Sequence, residues 1–141
     1  MLTTIAVGTD GSKTASKAVA AAAELARRFE AKLVLLSAFK GSRDRSGSAA
    51  GDAERQWVTN EDARLREILA RTEQDLRDQK LDCRTMIDEG DPGEVLVRLA
   101  KECGADLLVI GNQGLQRRIL GSVPNTVTHN AACSVLVVKT T

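Results

Sequence analysis

Apolar and polar positions change period several times along the chain, and each change marks an element. Within TTIAVGTDGS, residues 3–8 form a short β-branched apolar run that stops at Gly8, Asp10, Gly11 and Ser12, which predicts a strand and then a turn able to cap a helix. From Lys13 to Phe29 the apolar positions Ala15, Ala18, Val19, Ala22, Leu25, Ala26 and Phe29 follow helical spacing. Alanine fills most of the remaining positions, so this helix is expected to lie close against a sheet. Residues 32–39, KLVLLSAF, are continuously apolar, as a parallel strand covered on both faces requires, and strand two is therefore expected to be central.

The stretch from Gly41 to Arg55 is rich in Gly, Ser, Ala and charge and has no periodicity. It cannot bury enough apolar surface to offset the entropy of ordering it, so a mobile loop is expected rather than a domain boundary. Thr59 with Asp62 then makes a capping-box-like start to a second helix, whose apolar stripe is Leu65, Ile68, Leu69 and Leu76. Residues 81–88 alternate and predict a strand towards a sheet edge. Gly90, Asp91 and Pro92 open a third helix, with Val95, Leu96, Leu99, Ala100 and Cys103 on its apolar face and Gly104 as its C-terminal cap. ADLLVIG is the next buried strand, Ser122 can cap a last helix with Pro124 in its first turn, and SVLVVK is a closing strand.

Strict alternation of strand and helix predicts an α/β fold, a parallel sheet with right-handed crossovers and helices on both faces. Ligands of such sheets bind at the carboxyl ends of the strands, where neighbouring connections leave in opposite directions. The glycine-rich ends of strands one and four are the two candidates. With 141 residues, one core and a single domain over 1–141 are expected.

Apolar residues at 43% and charged residues at 28% exclude global disorder. A net charge of +1 provides no overall field towards nucleic acid or an anionic membrane. No basic n-region or membrane-length apolar run is seen, and a cytoplasmic protein is expected. Phe29, Phe39 and Trp57 are the only aromatics, too few for a base-stacking platform. Cys83, Cys103 and Cys133 lack metal-binding spacing and are read as small buried hydrophobes rather than reactive thiols.

The candidate chemistry lies after strand four. Gly111, Gly114 and Gly121 permit close approach of backbone N–H groups to an anion, and Ser122 opens a helix whose first donors suit phosphate. From Leu107 to Thr141 there is no acidic residue, whereas Arg117, Arg118 and Lys139 are basic. The same glycines also fit a tight turn and a helix cap and nothing more. The two arginines fit either phosphate contacts or solvated loop charges. Neither a Walker A loop nor G-x-G-x-x-G occurs. Asp10 fits either a cap for the following helix or a ligand role, and the two are compatible. His129 has no serine or cysteine partner at a recognisable spacing.

VGTDGS, DLLVIGNQG, LGSVPNTV and SVLVVK, in this order and over nearly the whole chain, resemble the universal stress protein family. The resemblance implies a three-layer α/β/α sandwich, Rossmann-like and HUP-type, with a five-stranded parallel sheet in the order 3-2-1-4-5. It also implies binding of an adenine nucleotide: ATP, or AMP or cyclic AMP, with magnesium brought by the nucleotide. ATP-binding members carry G-x2-G-x9-G-[S/T]; Gly111, Gly114 and Gly121-Ser122 match it, but with six residues between Gly114 and Gly121, three fewer than the pattern. By match, Asp10 with Thr9 belongs at the ribose and the first phosphate or its metal, Ala38 at the adenine and Ile110 beside the base, with Gly8 also in the nucleotide site. Gly114, Gly121, Ser122 and Val123 belong at the phosphates, Gln113 stands near their tail, and Gly111 belongs to the nucleotide site as the first glycine of the pattern. The GNQGL and GSVP wording is similar to a subgroup that binds cyclic AMP, whose compact phosphate needs less loop.

Val135 to Val138 form an apolar strand without a protecting proline or internal charge, of the kind that pairs with another chain. The resemblance implies a homodimer through that strand. The leading expectation is thus a nucleotide-binding stress sensor or regulator rather than a catalyst, with slow ATP hydrolysis left open. The alternative is a dimeric interaction module of the same fold that does not bind nucleotide. A receiver-type phosphoacceptor is disfavoured, because Asp10 lacks an adjacent acidic partner and Asp88 is only loosely placed.

Overall fold

The computed structural model describes residues 2–39, 52–112 and 122–140. The elements run β1 (Thr4–Gly8), α1 (Ala15–Phe29), β2 (Lys32–Phe39), α2 (Asp52–Asp78), β3 (Cys83–Glu89), α3 (Pro92–Glu102), β4 (Leu107–Gly111), α4 (Ser122–Asn130) and β5 (Ser134–Val138). All neighbouring strands are parallel, in the order β3-β2-β1-β4-β5. β1 occupies the middle of the sheet and β2 stands between β1 and β3, so strand two is interior but not central. β3 lies at one edge, as its alternation predicts, and β5 at the other.

Because side chains alternate along a strand, the sheet feeds two cores. Ile5, Val7, Leu33, Leu35 and Val109 point to the face covered by α1 and by Leu76 of α2. Ala6, Val34, Leu36, Leu108 and Ile110 point to the face covered by α3 and α4, where Val95, Leu96, Leu99 and Val127 meet them. Ala18, Ala22 and Ala26 are fully buried, and their small size brings α1 close to the sheet. Fully burying a leucine or valine stabilises by roughly 1.5–3 kcal/mol. The continuous apolar runs of β2 and β4 follow from burial on both faces.

The second helix starts earlier than expected. It begins at Asp52 rather than near Thr59, so 52–55, read from the sequence as loop, is helical. Ala53, Glu54, Arg55 and Gln56 are strong helix formers by intrinsic propensity. This stretch has no apolar stripe, so hydrophobic periodicity does not mark it. The remainder of the expected mobile loop, 41–51, lies outside the described residues. No helix among the described residues is long and apolar enough to cross a membrane.

Candidate functional site

Connections on the two sides of β1 and β4 leave in opposite directions, because β3 returns across the sheet to β4. A cavity of about 480 Å³ opens there, at the carboxyl ends of β1, β2 and β4. That volume falls within the ~300–1,000 Å³ of small-molecule sites. Ala38, Pro92, Leu96, Ile110 and Val123 line it with apolar surface, while Thr9, Asp10, Ser12, Thr14 and Thr140 bring polar groups.

The turn after β1 is built from its own polar side chains. The Thr9 N–H donates to the Leu36 carbonyl at 2.9 Å and extends the ladder beyond β1. Ser37, buried on β2, donates its hydroxyl to the Thr9 carbonyl at 2.7 Å. Gly11 has φ +82°, a left-handed conformation that a side chain would strain, and its N–H reaches Thr9 Oγ1 at 3.1 Å. Asp10 Oδ1 accepts the Ser12 N–H at 2.9 Å, and Ser12 Oγ accepts the Ala15 N–H at 3.1 Å. Ser12, not Asp10, therefore caps the start of α1. The short Asp10 side chain reaches only two residues ahead, the span of an Asx turn, and its carboxylate stays at the cavity.

Gly8 and Gly111 set the floor between the strands. A Cβ on Gly8 would stand 2.7 Å from Leu96 Cδ1, and one on Gly111 would stand 3.0 Å from Thr140 Cγ2. At the far side Asp91 caps α3 by accepting the Glu94 N–H at 3.2 Å, and Pro92 occupies the first turn against the cavity. Asn112 continues β4 by donating its N–H to the Val138 carbonyl at 2.9 Å. Its side-chain Oδ1 accepts both the N–H and the hydroxyl of Thr140, at 2.8 and 3.0 Å.

The sequence pattern of the universal stress protein family matches residues 1–139. This chain belongs to that family. Universal stress proteins from two strains of Mycobacterium tuberculosis are 36% identical to it, over 98% of this chain and 97% of theirs. Among solved structures, a universal stress protein in complex with cAMP is 34% identical, covers 99% of both chains and superposes with a TM-score of 0.77. One from Burkholderia pseudomallei is 27% identical, with a TM-score of 0.78 over 97% of this chain and 96% of that one.

In this universal stress protein the cavity gathers Gly8, Thr9, Asp10, Ala38, Ile110, Gly111 and Val123 of the residues expected from the sequence. Ser122 opens α4 and is exposed, one position from the lining. Gln113, Gly114 and Gly121, together with Arg117 and Arg118, lie outside the described residues. Among the described residues no three His, Cys, Asp or Glu side chains group as a metal site, and Asp10 is the one carboxylate in the lining.

Other candidates fall elsewhere. Asp88, which a phosphoacceptor would use, accepts the Glu89 N–H and pairs with Arg98 at 2.7 Å; these hold its carboxyl below the usual range, and it does not line the cavity. His129 is exposed in the last turn of α4. All three cysteines are free. Burial pushes the Cys83 thiol up to about 11 and raises those of Cys103 and Cys133, the opposite of thiolate activation.

Sequence reasoning missed Ser37, Pro92, Leu96 and Thr140 as parts of this wall. Pro92 and Leu96 carried a signal, since a helix opening on proline beside a strand end puts its first turns at that end. Thr140 carried none, because its place depends on the fold around Asn112.

Proposed function

We infer that this universal stress protein binds an adenine nucleotide in the cavity and acts as a cytoplasmic stress sensor or regulator rather than a catalyst. One observation carries the reading: seven residues expected at a nucleotide converge on one cavity at the topological switch point. The cavity's chemistry fits such a ligand. A flat apolar base matches the wall of Ala38, Leu96 and Ile110, and hydroxyl-bearing sugar matches the polar turn at Thr9 and Asp10, with Val123 towards the phosphates. Gln113, Gly114, Gly121 and Ser122 take the phosphates in this reading, and Asp10 receives the magnesium that ATP brings. The relative solved with cAMP supports a nucleotide, and the spacing of six residues between Gly114 and Gly121, three fewer than the ATP pattern, favours AMP or cyclic AMP over ATP.

Pairing is part of the same reading. β5 is an edge strand with Leu136 38% exposed, so Val135 to Val138 is the natural surface for a homodimer. Light scattering at micromolar concentration is expected to return twice the mass of a 15.1 kDa chain. Residues 1–141 work as one domain.

Calorimetric titration of ligand-free protein with magnesium-ATP, AMP and cyclic AMP tests the function. Saturable heat with any of them supports it, and the nucleotide that binds tightest names the ligand. Silence from all three overturns it in favour of a dimeric interaction module that does not bind nucleotide.

A further inference from the structure

Thr140 stands two residues beyond β5 and yet is only 3% exposed and lines the cavity. Asn112 Oδ1 holds it by two hydrogen bonds, and Lys17 Nζ donates to its carbonyl at 3.2 Å. The absent Cβ of Gly111 leaves room for its methyl group, which a side chain at 111 would meet at 3.0 Å. Two other elements, α1 and the end of β4, thus fix the threonine that follows β5 in the wall.

The direction of these bonds sets its chemistry. A backbone N–H can only donate, so the Asn112 amide must turn its oxygen to Thr140. That oxygen accepts only, so the Thr140 hydroxyl spends its single proton on it. Thr140 Oγ1 is left with lone pairs, so the chemistry this wall residue can offer a ligand is that of an acceptor. An ionised phosphate oxygen, itself an acceptor, gains nothing from this group. A ligand hydroxyl does, and on a nucleotide those hydroxyls are on the ribose.

The geometry points to Thr140 as a ribose-reading residue: its Oγ1 accepts a hydrogen bond from a ribose hydroxyl, and Asn112 is the positioning residue that makes it an acceptor. This rests on the nucleotide reading above. A site built around a hydroxyl rejects an analogue lacking it, because its polar group is then left unpaired.

The test is a cycle of ligand and protein changes, read by calorimetry. AMP and cyclic AMP are compared with their 2′-deoxy counterparts, and AMP also with 3′-deoxy-AMP, on the wild type, Thr140→Val and Thr140→Ser. Valine keeps the shape and the backbone bond to Asn112 but removes the hydroxyl; serine retains the hydroxyl. For one hydroxyl the wild type is expected to favour the ribonucleotide about three- to tenfold. Thr140→Val should bring that ratio to about one, and Thr140→Ser should preserve it. A general loss of affinity or of folding would move both ligands together and leave the ratio unchanged. Equal binding of every deoxy analogue by the wild type, or the same ratio in Thr140→Val, overturns the assignment while the nucleotide reading stands. Should ATP alone bind the wild type, the same comparison is made with ATP and its 2′- and 3′-deoxy counterparts; if none of the three nucleotides binds, the nucleotide reading fails and the assignment falls with it.

Discussion

Two aspartates beside β1, one at each end of the sheet, do opposite work. At the amino end Asp106 Oδ2 accepts the Thr3 N–H, the Thr3 hydroxyl and the Thr4 N–H, at 2.9, 2.9 and 3.0 Å. These bonds tie the start of β4 to β1 and hold the Asp106 carboxyl below the usual range, the Thr3 N–H contributing most. At the carboxyl end Asp10 accepts the Ser12 N–H and stands at the rim of a cavity of about 480 Å³. One carboxylate closes a seam between two strands, and the other borders a space that a ligand can fill. The teaching is that a charged residue in a loop is read by what its oxygens already hold, not by its type or its distance from a strand.

The contrast predicts a dissociation between binding and stability. Asp10→Ala is expected to produce the largest effect, a loss of about 10- to 100-fold in nucleotide affinity, since hydrogen bonds to charged groups contribute roughly 1.5–3 kcal/mol. Its denaturation midpoint should shift little, and a calorimetric titration beside a urea melt separates the two. An unchanged affinity would remove Asp10 from the site.

Ser12→Ala comes next. Loss of the Ser12 Oγ bond to the Ala15 N–H removes the cap of α1 and is expected to destabilise by about 1 kcal/mol, visible as a lower urea midpoint at unchanged slope. A midpoint equal to wild type would return the capping role to another group.

The smallest effect belongs to Asp106→Ala, since its partners at Thr3 are exposed and solvent competes for their bonds. Nucleotide affinity should be unchanged and the melting midpoint slightly lowered. Because folding depresses this carboxyl's pKa, its stabilisation is present above the unfolded value of 3.8 and is lost as pH falls through the folded value. The acid limb of a stability profile should therefore be shallower in Asp106→Ala, and coincident profiles would contradict the seam.

Much of the architecture was legible because it rests on local periodicity. Residues 32–39 were read as a strand to the residue, and Asp91-Pro92 marked the opening of α3. The start of α2 at Asp52 was not legible, since a helix of charged and polar residues has propensity but no apolar stripe. At the site, Gly8, Asp10 and Gly111 were visible as glycine-rich strand ends. Ser37 was hidden inside an apolar run, where nothing local tells that its hydroxyl answers the Thr9 carbonyl.

The sequence by itself determined the order of elements, the parallel sheet and the glycine-rich strand ends that border the cavity. These follow from burial on two faces and from glycine in turns, which neighbouring residues encode. Only the tertiary structure decided that Ser12 rather than Asp10 caps α1, that Asp106 joins β4 to β1, and that Thr140 closes the cavity through Asn112. Each of those outcomes is a hydrogen bond whose partner is chosen by distance in space. Asn112 and Thr140 are 28 residues apart in sequence and meet because β4 and β5 lie side by side.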